Sequence, residues 1–440
     1  MRQIFLLTVV VLLLIGCASI MRGAEDDSID PVVNDLPPKN LNIGTDPITL
    51  EVWLDLDFTR NNTLFEEMVA EFEKTYPQIE VEISSFVRES MPQKVKLAVQ
   101  SGIPPDVVQG HVYALAGQRL AEPLNDEWAA WAKTDSRVNS EFLPSALRET
   151  MWRGDHYGVP LDVYTLVLLY NRSHFDAAGL PYPDGKYDFS YLQQAAKLLT
   201  RPEKKQYGLG FTTDPWYVYA WITGAGGDLL AGNPETGLRL TLNSQTNVDA
   251  LAFLTKMVEN GYGPRPSTRP RDYEDMRRRF LNGEISMYFG ESQDIHLIQS
   301  TNPDFPLGVA QLPKTPARDS AASVLGSSGL LIPRGARHRE AAFEFMKWAA
   351  SDRYAYPMAR RLGRYPAKIW LQTSPEFTEN LLLIPFFNQL NAARPYRLDL
   401  FPTAEDAFAD AIKISFYNIT SPKQALDRAQ KTGQGGPVTP

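Results

Sequence analysis

The apolar and polar positions of this chain change period many times, and each change predicts an element. Thr49-Leu50-Glu51-Val52-Trp53-Leu54 reads as a buried first strand. Leu64, Phe65, Met68, Val69 and Phe72 fall on one face of a helix. Thr63 and Glu66 before it have the spacing of a capping box. Ile79, Val81 and Ile83 then alternate with Glu80 and Glu82, which predicts a half-buried strand. Pro92 to Gln100 is a second helix, stopped by Gly102 and Pro104, and Asp106-Val107-Val108 opens another strand. Strand and helix in alternation predict a mostly parallel sheet covered by helices.

The alternation continues to the end of the body. A very apolar strand is expected over 165–170, helices over 191–200, 246–260 and 273–281, and strands over 285–289 and 329–332. Helices over 339–351, 404–417 and 422–430 complete it. No internal repeat is visible. Trp216, Tyr217, Tyr219 and Trp221 lie so close that two periods fit them. Residues 217, 219 and 221 would share a strand face; 217 and 221 would also share a helix face.

The two ends differ from this body. Arg2, an apolar run from Ile4 to Ile15, and Gly16 form a secretory signal pattern too short to span a bilayer comfortably. Leu14-Ile15-Gly16-Cys17 resembles the lipobox of bacterial lipoproteins. That resemblance implies cleavage before Cys17 and lipidation of it, with two or three acyl chains for stable anchoring. Cys17 is the single cysteine, so no disulfide within the chain is possible. Residues 18–47 are rich in Asp, Pro, Asn and Gly without an apolar period, which predicts a flexible tether. The body has the 43% apolar and 22% charged content of a globular protein and is long enough for two lobes. A net charge of −8 argues against nucleic acid and against docking on anionic lipid.

Several short markers occur in a telling order. They are Phe72-Glu73-Lys74-Thr75-Tyr76-Pro77 with Ile79-Glu80-Val81, Gly102-Ile103-Pro104-Pro105-Asp106-Val107, and Tyr157-Gly158-Val159-Pro160. Leu169-Tyr170-Asn171-Arg172 with Phe175 and Ala178-Gly179-Leu180, then Phe280 to Met287, follow. Glu340-Ala341-Ala342-Phe343-Glu344-Phe345, Gly363-Arg364-Tyr365-Pro366 and Arg394-Pro395 close the series. Together, from about Ile48 to Gln430, they resemble the family 1 extracellular solute-binding proteins of ABC importers, the group that includes maltose-binding protein. The resemblance implies an α/β, two-lobed, type II periplasmic-binding-protein-like fold. Each lobe would be a mixed, mostly parallel sheet flanked by helices, with three interlobe crossings.

The division expected is a signal peptide at 1–16, lipidated Cys17 and tether over 17–46, and a disordered tail over 431–440. The first lobe would take 47–160 and 325–352, and the second 161–324 and 353–430. The resemblance also implies a carbohydrate ligand, mono- or oligosaccharide, and as partners a permease with cytoplasmic ATPases. The body would act as a monomer outside the cytoplasm, held at the membrane by lipid alone, with no cofactor and no metal.

A sugar presents flat C–H faces and many hydroxyls, so its site needs aromatic planes and fixed polar groups. In open α/β sheets such groups gather at carboxyl ends of strands. On that rule the expected ligand contacts are Asp57 after the first strand, and Gln109, His111 and Tyr113 after the strand at 106–108. Asp162 and Tyr164 on the first crossing, Glu291 after the strand at 285–289, Ser328 in Gly326-Ser327-Ser328-Gly329, and Arg364 and Tyr365 complete the polar set. The small residues at 326–329 would let ligand approach backbone N–H groups. The position of Tyr164 resembles one that carries a ligand-contacting Glu in maltose-binding protein. The resemblance also implies a second-lobe aromatic platform, which points to Trp216 or Trp221. His111 has no second ligand at metal spacing, and hydrogen bonding is its expected role. Arg394 is expected to pair with a carboxylate. The arginines at 265, 269, 271, 277, 278 and 279 read as a solvated face, with an anion site as the sharper alternative.

Two other classes remain open at this stage. An anionic ligand such as a sugar phosphate is the alternative within the binding class, because Arg364 and Arg394 are available. A secreted glycan-acting enzyme would need paired carboxylates. The chain has no Gly-x-Ser-x-Gly, His-Glu-x-x-His or phosphate-cradling motif, and only five histidines, all scattered.

Overall fold

A computed structural model describes residues 46–56, 63–234, 237–267, 272–314 and 322–434. The signal peptide, Cys17, nearly all of the tether, Asp57, Arg269, Arg271 and the tail beyond residue 434 lie outside the described residues. Among the described residues, nine strands join in one curled sheet.

The first lobe begins with β1 (Ile48–Asp55), α1 (Leu64–Thr75), β2 (Ile79–Phe86), α2 (Met91–Ser101), β3 (Val107–Gly110) and α3 (Val112–Gly117). β1 lies between β2 and β3, parallel to both. Leu50, Val52 and Leu54 point from β1 into a core with Phe65, Met68 and Phe72 of α1. On the other side of the sheet Val108 meets Met91 and Val95 of α2 and Leu115 of α3. β3, in the middle of the sheet, is buried on both faces, whereas β2 at the edge alternates buried Ile79 and Val81 with exposed Glu80 and Glu82. Thr63 does not close the capping box. Its backbone is helical rather than extended, so its hydroxyl donates to Glu67 Oε1 at 2.5 Å instead of bonding the helix backbone.

β4 (Gly158–Asn171) is fourteen residues long and serves both lobes. Its first half pairs antiparallel with β7 (Ser323–Leu331), which also pairs antiparallel with β3. Its second half pairs antiparallel with β5 (Met287–Glu291) and β6 (Leu307–Ala310). The expected strand at 165–170 is therefore the second half of a longer one. α4 (Pro215–Gly224), α5 (Gln245–Glu259), α6 (Asp272–Leu281) and α7 (Ser292–Thr301) surround the second-lobe strands. Leu166, Leu168, Trp221, Ile222, Leu251 and Phe289 form much of that core.

The last third runs through the expected lobe boundary at 352/353. α8 (Arg339–Ala349) and α9 (Asp352–Leu362) pack against α1, β8 (Tyr365–Pro366) pairs with β4, and α10 (Ile384–Ala392) packs along β4, β6 and β7. Tyr354, Met358, Phe386 and Leu390 share a core with Leu50 and Phe72. The chain returns to the second lobe at β9 (Ala393–Pro395), parallel to β7 at 323–325. Tyr396, Leu398, Phe408 and Phe416 then join the second-lobe core, the last two on α11 (Pro402–Phe416). The expected change of lobe at 352/353 lies between α8 and α9, both of which pack against α1. The aromatic face of α8 could not reveal this, because either lobe would bury it. The final helix, α12 (Pro422–Gly433), runs past the expected end at Gln430, with Gly433 packed against Ala404 and Leu240. Among the described residues no helix is long and apolar enough to cross a membrane.

Candidate ligand-binding cleft

The carboxyl ends of β1, β2 and β3 bring Asp55, Arg88 and Gln109 together. Arg88 Nε donates to Asp55 Oδ2 at 2.8 Å, and the Asp55 backbone N–H donates to Gln109 Oε1 at 3.1 Å. Gln109 Nε2 donates in turn to Ser328 Oγ at 3.1 Å, which spans from β3 to β7. Ser328 Oγ donates to Asp162 Oδ1 at 2.6 Å, and the Ser328 N–H donates to the same oxygen at 3.0 Å. Arg364 closes the chain: its Nη1 donates to Asp162 Oδ2 at 3.2 Å, and its Nη2 lies 3.9 Å from Asp55 Oδ2. The amide of Gln293 at the start of α7 faces the same guanidinium, with its oxygen as acceptor at 2.7 Å. Gln109, Asp162 and Arg364 are all buried. Paired charges and satisfied amides are the form in which polar groups survive burial.

An aromatic floor lies beside this network. The Tyr164 ring packs 5.4 Å from Trp216, and the Arg88 guanidinium stands 5.3 Å from the Tyr164 centroid. A Cβ on Gly326 would come within 2.0 Å of Tyr164 Cε2, so the tyrosine ring fills the space expected for ligand at that glycine. Burial pushes the Tyr164 hydroxyl up to about 12, so it is a neutral donor.

The second lobe contributes Glu291, at the end of β5. Its Oε1 accepts from Tyr217 Oη at 2.6 Å, and its N–H donates to Tyr273 Oη at 3.2 Å. Burial raises the Glu291 carboxyl above its usual range, against the pull of Arg88 and of the tyrosine hydrogen bond. Asp214 caps α4 by accepting from the Trp216 N–H at 2.8 Å. Burial first, and then the charge of Asp272, push Asp214 up to about 6.

The structure therefore brings together Gln109, Asp162, Tyr164, Trp216, Glu291, Ser328 and Arg364. It places four other expected residues elsewhere. Trp221 is 6% exposed and stacks on Phe289 at 3.9 Å, because the aromatic cluster is helical and residue 221 packs on the second-lobe core. Tyr365 is 3% exposed, packed 5.0 Å from Phe386. Successive side chains along an extended segment point to opposite faces, so Arg364 enters the network and Tyr365 the core.

His111 and Tyr113 belong to a different cluster. The chain turns at Gly110, and His111 becomes the N-cap residue of α3. Its Nε2 lies 3.0 Å from Glu149 Oε2, and its Nδ1 contacts Asp399 just beyond β9. Arg397 Nη2 donates to Glu149 Oε1 at 2.6 Å, and its guanidinium lies 3.5 Å from the centroid of the Tyr113 ring. Burial opposes charge on His111, but Asp399 and Glu149 outweigh it and raise the imidazole to about 10. Burial likewise opposes charge on Glu149, and Arg397 and His111 hold it at about 2.

Sequence reasoning missed Arg88, Tyr217 and Tyr273. Arg88 follows the end of β2, so the rule of strand carboxyl ends extended to that strand would have found it. In the arginine-rich stretch Arg277 pairs with Asp294 at 2.9 Å, Arg278 with Asp275 and Arg279 with Glu284 at 3.0 Å, while Arg265 stands 5.3 Å from the centroid of the Tyr417 ring. Arg394 Nη1 lies 3.8 Å from Asp228 Oδ2. Among the described residues no group of three His, Cys, Asp or Glu is placed to hold a metal.

Residues 57–356 match the family described as bacterial extracellular solute-binding protein. The chain belongs to that family. This solute-binding protein is 24% identical over 340 residues to the diacetylchitobiose-binding protein DasA of Streptomyces coelicolor, covering 74% of this chain and 75% of that one. It is 24% identical over 246 residues to the maltodextrin-binding protein MdxE of Bacillus subtilis, covering 55% of this chain and 57% of that protein's length. Its fold matches an ABC substrate-binding protein of Listeria monocytogenes solved with cycloalternan, at a TM-score of 0.77 and 20% identity, over 89% of this chain and 99% of that one. The two-lobed periplasmic-binding architecture is thereby shown.

Proposed function

We propose that this protein is the substrate-binding component of an ABC importer and captures a carbohydrate, mono- or oligosaccharide, in the interlobe cleft. The observation that carries the reading is the Tyr164–Trp216 floor beside a chain of buried polar groups, with Glu291 and Gln293 of the second lobe facing it. Aromatic planes suit the C–H faces of sugar rings, and pre-paired polar groups suit hydroxyls without reorganisation. Relatives named for binding maltodextrin, diacetylchitobiose and arabinooligosaccharide support the same class. The protein acts by binding and has no catalytic role.

Ligand contacts to both lobes favour the closed arrangement, and the closed form is what the permease and its ATPases receive. The protein works outside the cytoplasm as a monomer, tethered to the membrane through lipid on Cys17. A thermal-shift screen of the mature protein against mono-, di- and oligosaccharides tests the ligand class. At least one saccharide should raise the melting temperature, reduce the radius of gyration in small-angle scattering and change tryptophan fluorescence. No response to any saccharide, or turnover of one into products, would end this reading. Radiolabelled palmitate entering the wild-type protein but not Cys17→Ala tests the anchor.

A further inference from the structure

We propose that the cleft is built for an uncharged saccharide and excludes phosphorylated ones, with Arg88, held by Asp55 over Tyr164, as the specificity-determining residue. This inference rests on the carbohydrate reading and narrows it.

A guanidinium in a binding cleft ordinarily suggests an anionic ligand. Here both cleft guanidiniums are already engaged by carboxylates. Arg364 is 3% exposed and bonded to Asp162 with Asp55 nearby, so it lies beneath the lining. The Arg88 side chain is 39% exposed and reaches the cleft surface, but its Nε is bonded to Asp55. Its charge also acts on Glu291 across the cleft. Around Tyr164, three carboxylates (Asp55, Asp162, Glu291) thus face two guanidiniums. Protonating Glu291 would balance the set without making it positive. Near Trp216 the bias is also acidic, because Asp214 sits within the fields of Asp272 and Glu89.

A phosphate entering this lining would have to draw Arg88 from Asp55 and would meet the remaining carboxylates in a partly dry site. Like charges brought together there are strongly unfavourable. A neutral sugar ring needs neither change. The Arg88 Nε–H stays on Asp55, and the Tyr164 ring keeps its place against Gly326.

The test uses the purified full chain and calorimetric titration with matched pairs: glucose and glucose 6-phosphate, maltose and maltose 1-phosphate, trehalose and trehalose 6-phosphate. In at least one pair the neutral sugar should bind and its phosphate should bind at least about tenfold more weakly. Asp55→Asn releases Arg88, and Glu291→Gln removes the opposing charge at nearly constant shape. Either should narrow that ratio by about tenfold or more. If Asp55→Asn does not fold, Glu291→Gln carries the test. A phosphorylated sugar that binds the wild type as well as its neutral partner would overturn the inference while leaving the carbohydrate reading intact. Folded variants with an unchanged ratio would overturn the role of Arg88. If no member of these pairs binds, and none of the wider saccharide panel does, the carbohydrate reading fails and takes the inference with it.

Discussion

Two buried ionic clusters in this protein use the same chemistry for opposite ends. In the cleft, Arg88, Asp55, Gln109, Ser328, Asp162 and Arg364 form a chain that is open at one side, where Arg88 and the Tyr164–Trp216 pair meet the interlobe space. Near the third crossing, His111, Glu149, Arg397 and Asp399 close on one another. Leu400 and Trp152 both crowd the place a Cβ would take at Gly117. Gln118 Nε2 also donates to the Asp399 carbonyl at 3.0 Å, which ties α3 to the segment after β9. On the reading proposed above, the first cluster offers a surface to a ligand, while the second fastens α3 to the segment after β9. A buried polar residue is therefore no guide to binding until its partners are known.

The largest effect should come from breaking the closed cluster. His111 faces carboxylates at both ring nitrogens, so only the imidazolium can donate to both. His111→Ala leaves Asp399 short of a cation and takes one donor from Glu149, which keeps Arg397, and should destabilise the protein by about 3–5 kcal/mol. A lowered urea midpoint that saturating ligand restores only by its ordinary binding contribution would support the fastening role. A midpoint unchanged within error would refute it. Because the folded value of this histidine is raised from the usual 6.5 to about 10, its stabilisation is complete below pH 6.5 and disappears as pH rises through about 10.

Trp216→Ala should separate the two clusters by function. The ring is half-buried on the cleft floor, so binding should weaken by roughly 1.5–3 kcal/mol, about ten- to a hundredfold. The urea midpoint should move far less than for Trp221→Ala, where a core indole is removed at about 3–5 kcal/mol. Equal losses of stability in the two variants would contradict the assignment of one ring to the cleft and the other to the core.

Asp214 joins the two regions, since it caps the helix carrying Trp216 and its charge also acts on Tyr396 and Glu405 beyond β9. Its folded value is raised from 3.8 to about 6. Its contribution to stability is therefore fully present below about pH 3.8 and is lost as pH rises through about 6. Asp214→Asn keeps the cap and should flatten the stability profile between pH 4 and 7 by on the order of 1–3 kcal/mol. An unaltered profile from pH titration of the urea midpoint would exclude that residue as the source.

The smallest change is expected from Ser328→Ala. Asp162 keeps the backbone N–H and Arg364 but loses the hydroxyl, and Gln109 loses an acceptor, at about 1–2 kcal/mol. Binding should be affected less than in Trp216→Ala, measured with the same saccharide.

Much of the fold was legible because period and punctuation are local. The helix at Gln245–Glu259 and the strand at Ile79–Phe86 stand within two or three residues of where apolar spacing put them. The site was legible by position but not by direction. The rule that ligands meet carboxyl ends of strands led to Gln109 and Glu291, yet the same rule also pointed to His111 and Tyr113. Nothing local distinguishes a side chain that faces a cleft from one that faces Asp399, which lies 288 residues away in sequence. Tyr365 and Arg364 show the limit most simply. They are neighbours, and strand alternation sends them to different environments.

By itself the amino-acid order determined the α/β class, the succession of elements and the pool of groups from which a cleft could be assembled. These follow from side-chain periodicity and turn chemistry, which act over a few residues. Only the tertiary structure decided which aromatic rings pack together, which of them enter the core, and that Arg88 and Arg364 are answered by carboxylates. Those depend on pairings between distant segments, and whether a charge is offered or neutralised is a property of the partner it meets.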